Sequence, residues 1–422
     1  MDVSVSALGA ISALIIAIVL ILKKVPPAYG MIAGALVGGL IGGVDITNTV
    51  NLMMEGAKDI IPAVLRIMAA GILAGVLIES GAASSIAEKI VKKFGESRVL
   101  LALAVATMVL TTVGVFVDVA VITVAPIALA IAKRVHLSKT AILLAMIGGG
   151  KAGNIMSPNP NAIAAADAFN VPLTAIMSAG IIPAIFGIAL TYFLAKKVEK
   201  NGTVVMDQDV EVSDMTKTPL FITAMIGPLV TIILLALRPL FDINIDPMVA
   251  LPIGGIIGAI AMKKIRKIND YAVSGLSKMS SVAIMLLGTG TLAGIIANSE
   301  LKDVLINGLS SSGLPAYLLA PVSGIFMSAA TASTTAGTAV ASGVFSSTIL
   351  GLGISALAGA AMIHAGATVL DHLPHGSFFH ATAGSVNMEI KERLKLMPYE
   401  FLVGLTLAVI STLIFGVFKL FG

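Results

Sequence analysis

The sequence predicts an all-α, polytopic membrane protein of two inverted repeats, each with a re-entrant helical hairpin and a broken transmembrane helix. Three observations carry that expectation. Apolar residues make up 57% of the 422-residue chain and charged ones 12%, mean hydropathy is +1.01, and several apolar stretches are long enough to span a bilayer. A polar, Gly/Pro-punctuated break cuts an apolar helix twice, as GGGKAGNIMSPNPN at 148–161 and HAGATVLDHLPHGS at 364–377. Gly56, Gly71, Leu73, Ala74, Gly75 and Ser80 also recur, 219 residues later, as Gly275, Gly290, Leu292, Ala293, Gly294 and Ser299. Lipid cannot hydrogen-bond an unwound backbone, so such breaks persist only inside protein or beside a watery cavity. Paired breaks in two halves of a membrane chain mark the site of a secondary transporter.

Hydropathy places spans near 6–22, 28–44, 60–79, 140–169 (broken) and 175–195. A second set falls near 219–238, 247–262, 282–299, 354–386 (broken) and 400–419. The first apolar run, Ala7 to Leu22, has lysines after it and no basic residue before it, the order of a first span rather than of a cleavable signal. Residues 99–132 carry one charge, Asp118, and the run 304–370 carries no Asp, Glu, Lys or Arg. Their small or polar centres read as hairpins at 99–132 and 314–347 that enter the membrane and turn back; two full spans each would return the chain to the same side. Repeat one is thus 1–198, repeat two 219–422, with a polar cytoplasmic linker at 199–218 between them. Ala82–Gly95 is amphipathic and reads as a helix on the cytoplasmic face.

Five crossings per repeat is an odd number, so the second repeat starts from the opposite side and is inverted. Charge agrees. Most of the 27 Lys and Arg residues, among them Lys23, Lys24, Lys89, Lys133, Lys196, Lys263, Lys267 and Lys391, fall on the side opposite the N-terminus. That side is expected to be cytoplasmic and both termini external. The net charge of +4 lies between spans, so it reports topology rather than nucleic-acid binding. Cysteine is absent, which excludes disulfides and thiol chemistry. No phosphate loop, nucleotide-fold signature or nucleophile triad appears, so neither an enzyme nor a cofactor is expected.

Lys151 stands in the first break, where a buried ammonium needs a partner or water. It is either a counter-charge for an anionic substrate or a structural partner for a carboxylate or break carbonyls. Asp118, alone in the first hairpin, either exchanges a coupling proton or braces the hairpin, Lys151 included among its partners. His364, His372 and His375 crowd the second break beside Asp371; imidazole both donates to carboxylates and relays protons. A closed zinc site would give no reason for the matching break, which lacks His, so no metal is expected. Asn154, Ser157, Asn159, Asn161, Thr331, Ser333, Thr334, Thr335, Thr338 and Ser377 supply amides and hydroxyls. They are either ligands or small polar residues for close helix packing. Helix ends at the breaks add N–H groups that favour anions. Gly30, Gly34, Gly38 and Gly42 form a packing stripe, with a subunit interface as one place for it.

The run GKAGNIMSPNPN at 150–161 and the second break with its continuation FFHATAGS at 378–385 resemble the gluconate permease family of the ion transporter superfamily. The resemblance spans essentially the whole chain. It implies a homodimer, a scaffold that holds the interface, and a moving transport domain of hairpins and broken helices. It also implies elevator-like alternating access and cation-coupled uptake, most often with protons, of gluconate and related sugar acids, other hydroxy acids, or D-serine. One departure matters: His372-Leu373-Pro374-His375-Gly376-Ser377-Phe378 stands where family members have His-Val-Asn-Asp-Ser-Gly-Phe. The expected function is proton-coupled symport of a small hydroxy-carboxylate across the cytoplasmic membrane. Lys151, Asn154, Ser157, Asn159, Asn161, Ser333, Thr334, Thr335, His372, His375 and Ser377 would bind substrate, and Asp118, Asp371 or His364 would carry the ion. A sodium-coupled carboxylate carrier or a D-serine-type amino acid carrier is the alternative. A membrane-embedded enzyme or a passive channel would leave the duplicated, inverted breaks without a purpose.

Overall fold

A computed structural model of the chain describes residues 4–95, 98–206, 209, 218–301, 303–304, 307, 314–374 and 376–420. The first half holds α1 (Ala7–Leu22), α2 (Pro27–Ile41), α3 (Ile46–Asp59), α4 (Ile61–Glu79), α5 (Ala82–Phe94), α6 (Val99–Thr112), α7 (Val117–Val135), α8 (Lys139–Asn154), α9 (Pro160–Ala168), α10 (Leu173–Ala179) and α11 (Ile181–Lys197). The second holds α12 (Phe221–Phe241), α13 (Pro247–Ala261), α14 (Ile268–Ala297), α15 (Leu319–Thr331), α16 (Thr334–Gly351), α17 (Ala356–Gly366), α18 (Ser377–Ser385) and α19 (Ile390–Thr412). Among the described residues there are no strands, only the isolated bridges Val5–Ser299 and Ser138–Val204. Many helices begin where the sequence supplies a side-chain acceptor for the orphan N–H groups: Ser6, Asp45, Ser138, Asn159, Asp246, Ser333 and Ser355 all cap in this way.

Both regions read as hairpins fold as hairpins. The α6 and α15 arms have 14 and 13 residues, about 20 Å each at 1.5 Å per residue, short of a hydrocarbon core of about 30 Å. They turn back at Val113–Phe116 and at Ala332–Ser333. The expected broken helices are α8–α9, interrupted over Ile155–Asn159, and α17–α18, the first ending at Gly366 and the second starting at Ser377.

One difference from expectation has a clear cause. Helix α3 lies where hydropathy shows no span, and α14 starts 14 residues before the expected 282. Both segments are half-polar: α14 opens with Asp270, Ser274, Ser277, Lys278 and Ser280. They are repeat partners. In the first half the rod is cut at Ile60, and Pro62 sits in the first turn of α4. The corresponding residue, 219 positions on, is Ser281, and there the helix runs unbroken for 30 residues. Proline removes a backbone donor and clashes with the preceding turn, so one substitution separates a kinked pair from a single rod.

The repeated glycines meet one another. A Cβ on Gly56 would overlap the Gly290 carbonyl, and one on Gly275 would overlap the Gly71 carbonyl. Gly56 corresponds to Gly275 and Gly71 to Gly290, so these are one contact made twice in antiparallel sense, the pattern a two-fold relation imposes. The same doubling links α6 to α8 and α15 to α17, where Gly149 abuts the Ala104 backbone and Gly366 that of Pro321. Inversion of the repeats is thus visible in the packing. The Gly30–Gly34–Gly38–Gly42 stripe packs closely against Ala17, Ala13, Gly9 and Val5 of the same chain.

Helices α1–α4 and α12–α14 pack mainly among themselves, as do α6–α9, α11 and α15–α19. Contacts between the two sets run through α14–α16, α4–α9, α1–α15 and α5. Arg66 of α4 bridges the sets. Its Nε and Nη2 donate to Asp246, with Nη2 at 2.6 Å, while Nη1 donates to Asp167 at the end of α9. The linker is strapped down where it is described. Lys139 Nζ donates to Asp209 at 2.7 Å and to the Asn387 carbonyl at 2.9 Å. Thr203 donates through both N–H and Oγ1 to Glu392. Burial works to raise the Asp209 carboxyl, but the Lys139 ammonium outweighs it and holds the group below its ordinary value. A depressed carboxylate stabilises above its unfolded value of about 3.9 and loses that contribution only as pH falls through the folded value. The stability difference between wild type and Asp209→Asn should therefore be constant from about pH 5 to pH 8, as thermal melts in detergent can check.

The glycine crossing also yields an outcome. Gly275→Leu should abolish recovery of monodisperse protein on size-exclusion chromatography, since backbone faces its Cβ and overpacking costs about 1–3 kcal/mol or more. Gly384→Ala, with open space around its Cβ, should behave as wild type.

Candidate functional site

The two breaks and the two hairpin tips converge on one cavity of about 130 Å³, lined by Asp118, Asn154, Asn161, Ser333, Thr334, Thr335, Asp371 and Ser377 together with Phe116, Val117, Ala332 and Phe378. Close backbone approach makes this possible. A Cβ on Gly153 would strike Thr111 and the Met108 carbonyl, and one on Gly150 would strike Val117. Across the cavity, a Cβ on Gly376 would strike Ala332, itself held at φ +47° in the tight tip of the second hairpin.

Helix ends contribute to the electrostatics beside the Asp118 and Asp371 carboxylates. The lining includes the N-terminal residues of α7 (Val117, Asp118), α9 (Asn161), α16 (Thr334, Thr335) and α18 (Ser377, Phe378). Each start presents unpaired N–H groups and roughly half a positive charge. Helices α8 and α15 end at the cavity, through Asn154 and Ala332, and bring carbonyl groups that suit a cation. N-termini aimed at an anion and C-termini aimed at a coupling cation are the arrangement of discontinuous transporter helices.

Lys151 lies behind the wall rather than on it. It is 1% exposed, and its ammonium donates to the Thr368 carbonyl at 2.8 Å and to Asp371 Oδ1 at 2.5 Å. His372 Nδ1 lies 3.2 Å from that ammonium and 3.3 Å from Asp371 Oδ1, so it accepts from the first in one tautomer and donates to the second in the other. Asp371 faces the cavity, and its second oxygen accepts from Thr334 Oγ1 at 2.5 Å. One carboxylate thereby ties the second break to the second hairpin tip and to the first break. Asp118 is different. Its Oδ1 accepts from the Val119 N–H at 2.9 Å, and no salt bridge to it is found among the described residues.

The other expected residues divide. Asn161 accepts from Thr335 Oγ1 at 2.6 Å, joining first break to second hairpin. Asn159 caps α9 and donates to Asn154 at 2.6 Å, bracing the break from within. Ser333 caps α16 and lines the cavity. Ser157 and His364 are buried off the lining, and neither Ser157 Oγ nor His364 Nε2 has a partner among the described residues. His375 lies outside the described residues. Sequence reasoning missed Phe116 and Phe378, which wall the cavity; apolar residues in an apolar chain carry no signal beyond adjacency to a tip or break. It also missed the fully buried Arg393–Glu400 ion pair, with Arg393 4.7 Å over the Phe379 ring. The seven-residue spacing of the pair places both on one face of α19.

A two-fold pair of hairpins and broken helices around a small polar cavity defines a membrane transporter. The chain belongs to the GntP family permeases, whose model matches residues 3–418. It is 71% identical over 416 residues to an uncharacterized transporter of Haemophilus influenzae, covering 99% of each chain. It is 22% identical to a high-affinity gluconate transporter of Escherichia coli, covering 93% of this chain and 94% of that one. Its fold is similar to the crystal structure of the Alcanivorax borkumensis YdaH transporter, described as having an unusual topology, with TM-score 0.67, 16% identity, and coverage of 88% and 90%. The protein is a multi-pass membrane transporter and not an enzyme.

Removing one partner of a buried ion pair strands the other, at a cost of about 3–5 kcal/mol. Lys151→Met should therefore lower the melting temperature markedly, and adding Asp371→Asn should restore part of the loss. Equal melting of Lys151→Met and wild type would show that the pair does not form.

Proposed function

We propose that the protein is a secondary active symporter carrying a small organic anion, a hydroxy-carboxylate, with a proton across the cytoplasmic membrane. The observation that supports it most is the meeting of four helix N-termini around a cavity that also exposes the unpaired carboxylate of Asp118. The N-termini favour a substrate carboxylate. Asp118 opposes one: two like charges about 4 Å apart repel by roughly 4 kcal/mol at an effective dielectric of 20. Protonation of Asp118 removes that penalty, so anion and proton bind best together, which is the requirement for symport.

The resemblance and the packing support a scaffold of α1–α4 and α12–α14 with a transport body of hairpins and broken helices, working as an elevator in a homodimer. The bias of Lys and Arg supports external termini. In this reading Arg66, anchored on the scaffold by Asp246, must release Asp167 when the body moves. The cysteine-free sequence makes the test clean. A reducible bifunctional thiol crosslinker joining Arg66→Cys to Asp167→Cys should stop uptake reversibly, whereas one joining Arg66→Cys to Asp246→Cys should not.

Two further readings rest on specific features. Carbonyls at the ends of α8 and α15 suit sodium, and an unpaired Asp118 suits the ammonium of an amino acid. Proteoliposomes with imposed proton or sodium gradients, offered hydroxy acids or D-serine, separate the three. Concentrative uptake of a hydroxy acid that collapses with a protonophore is expected. Asp118→Asn should lose that accumulation while still exchanging labelled for unlabelled substrate. Accumulation by Asp118→Asn at the wild-type level would remove Asp118 from coupling.

A further inference from the structure

We infer that the cavity is built for a hydroxy acid of three or four carbons, and that Phe116 and Phe378 set this length limit. The inference rests on the symporter reading and narrows its cargo. The cavity holds about 130 Å³. An engineered protein cavity of about 150 Å³ takes up benzene, which has as many heavy atoms as lactate. Gluconate has more than twice as many. Sites for drug-sized ligands run to roughly 300–1,000 Å³.

The hydrogen-bonding groups point the same way. Thr335 is committed to Asn161, Thr334 to Asp371, and the Ser333 oxygen to the Ala336 N–H. That leaves the amide donors of Asn154 and Asn161 and the hydroxyls of Ser333 and Ser377, with helix-end N–H groups, to face a solute. Such a set satisfies one carboxylate and one or two hydroxyls. It falls short of the chain of hydroxyls on a sugar acid, whose unmatched groups would be desolvated at a cost.

The limit comes from two rings contributed by opposite repeats. Phe116 stands at the tip of the first hairpin and Phe378 in the first turn of α18, and α7 packs on α18. Both are half-buried and both line the cavity, so a longer chain meets aromatic carbon where its next hydroxyl would need a partner.

Counterflow in proteoliposomes loaded with lactate or glycerate tests this. Uptake of the labelled acid is competed with lactate, glycerate, 3-hydroxybutyrate and gluconate. A poorly fitting methylene costs on the order of 10-fold in recognition, so gluconate should compete at least about 10-fold less well than the shorter acids. Phe378→Ala and Phe116→Ala should narrow that ratio, whereas a merely structural role would weaken all acids alike. Gluconate competing as well as lactate or better, or a ratio unchanged in both variants, would overturn the length limit and leave the symporter standing. No transport or competition by any acid would overturn the symporter reading itself.

Discussion

The Lys151–Asp371 pair is the interaction on which the rest of the site depends. Each break leaves backbone groups and polar side chains at a depth where lipid offers no partners. The pair joins the two breaks directly: Lys151 from the first reaches the Thr368 carbonyl, Asp371 and His372 of the second. Neither charge would be tolerable alone there, since a buried ion without its partner costs several kcal/mol. Both breaks must therefore form together. Thr334 on Asp371 and Thr335 on Asn161 then extend the same network to the second hairpin tip.

This arrangement separates two tasks that the sequence presents as one. Lys151 is the only positively charged side chain in either break, which makes it the obvious counter-charge for an anion. In the structure its charge is spent on Asp371. Attraction for an anion is left to the helix N-termini, which are fixed, cannot titrate and need no countercharge. The free titratable group on the lining is a carboxylate, Asp118. In the proposed symport, a site that attracts anions through dipoles and repels them through one protonatable group is charge-balanced only when anion and proton are both present.

Much of this was legible in the sequence, for physical reasons. Breaks in apolar helices are conspicuous because they must be polar and glycine-rich, and the hairpins show as long runs with one charge or none and with small or polar centres. Repeat glycines recur because each pair makes one backbone contact twice. What escaped has equally definite causes. Helix α3 and the start of α14 are half-polar, so hydropathy passes over them although each buries one face, through Thr49, Leu52 and Met53 in α3 and Tyr271, Gly275 and Met279 in α14. Phe116 and Phe378 look like any other apolar residue. The Arg393–Glu400 pair is the opposite case: its charges fall at the expected cytoplasmic edge, yet both side chains are fully buried. Charge position along the chain reports which side of the membrane a residue faces, not whether water reaches it.

The difference between α3–α4 and α14 shows how far two-fold symmetry holds. Both repeats make the same glycine contacts, so the crossing itself is conserved between halves. Yet one rod is cut near Pro62 and the other passes Ser281 unbroken. A 30-residue helix runs unbroken through the crossing in one repeat, while in the other the rod is cut at Ile60, and Pro62 lacks the N–H that would continue the preceding turn. Helix α4 is also the one that carries Arg66 to Asp167 on the hairpin side. The same crossing is thus built from a continuous rod in one repeat and an interrupted one in the other, and the ion bridge sits on the interrupted one.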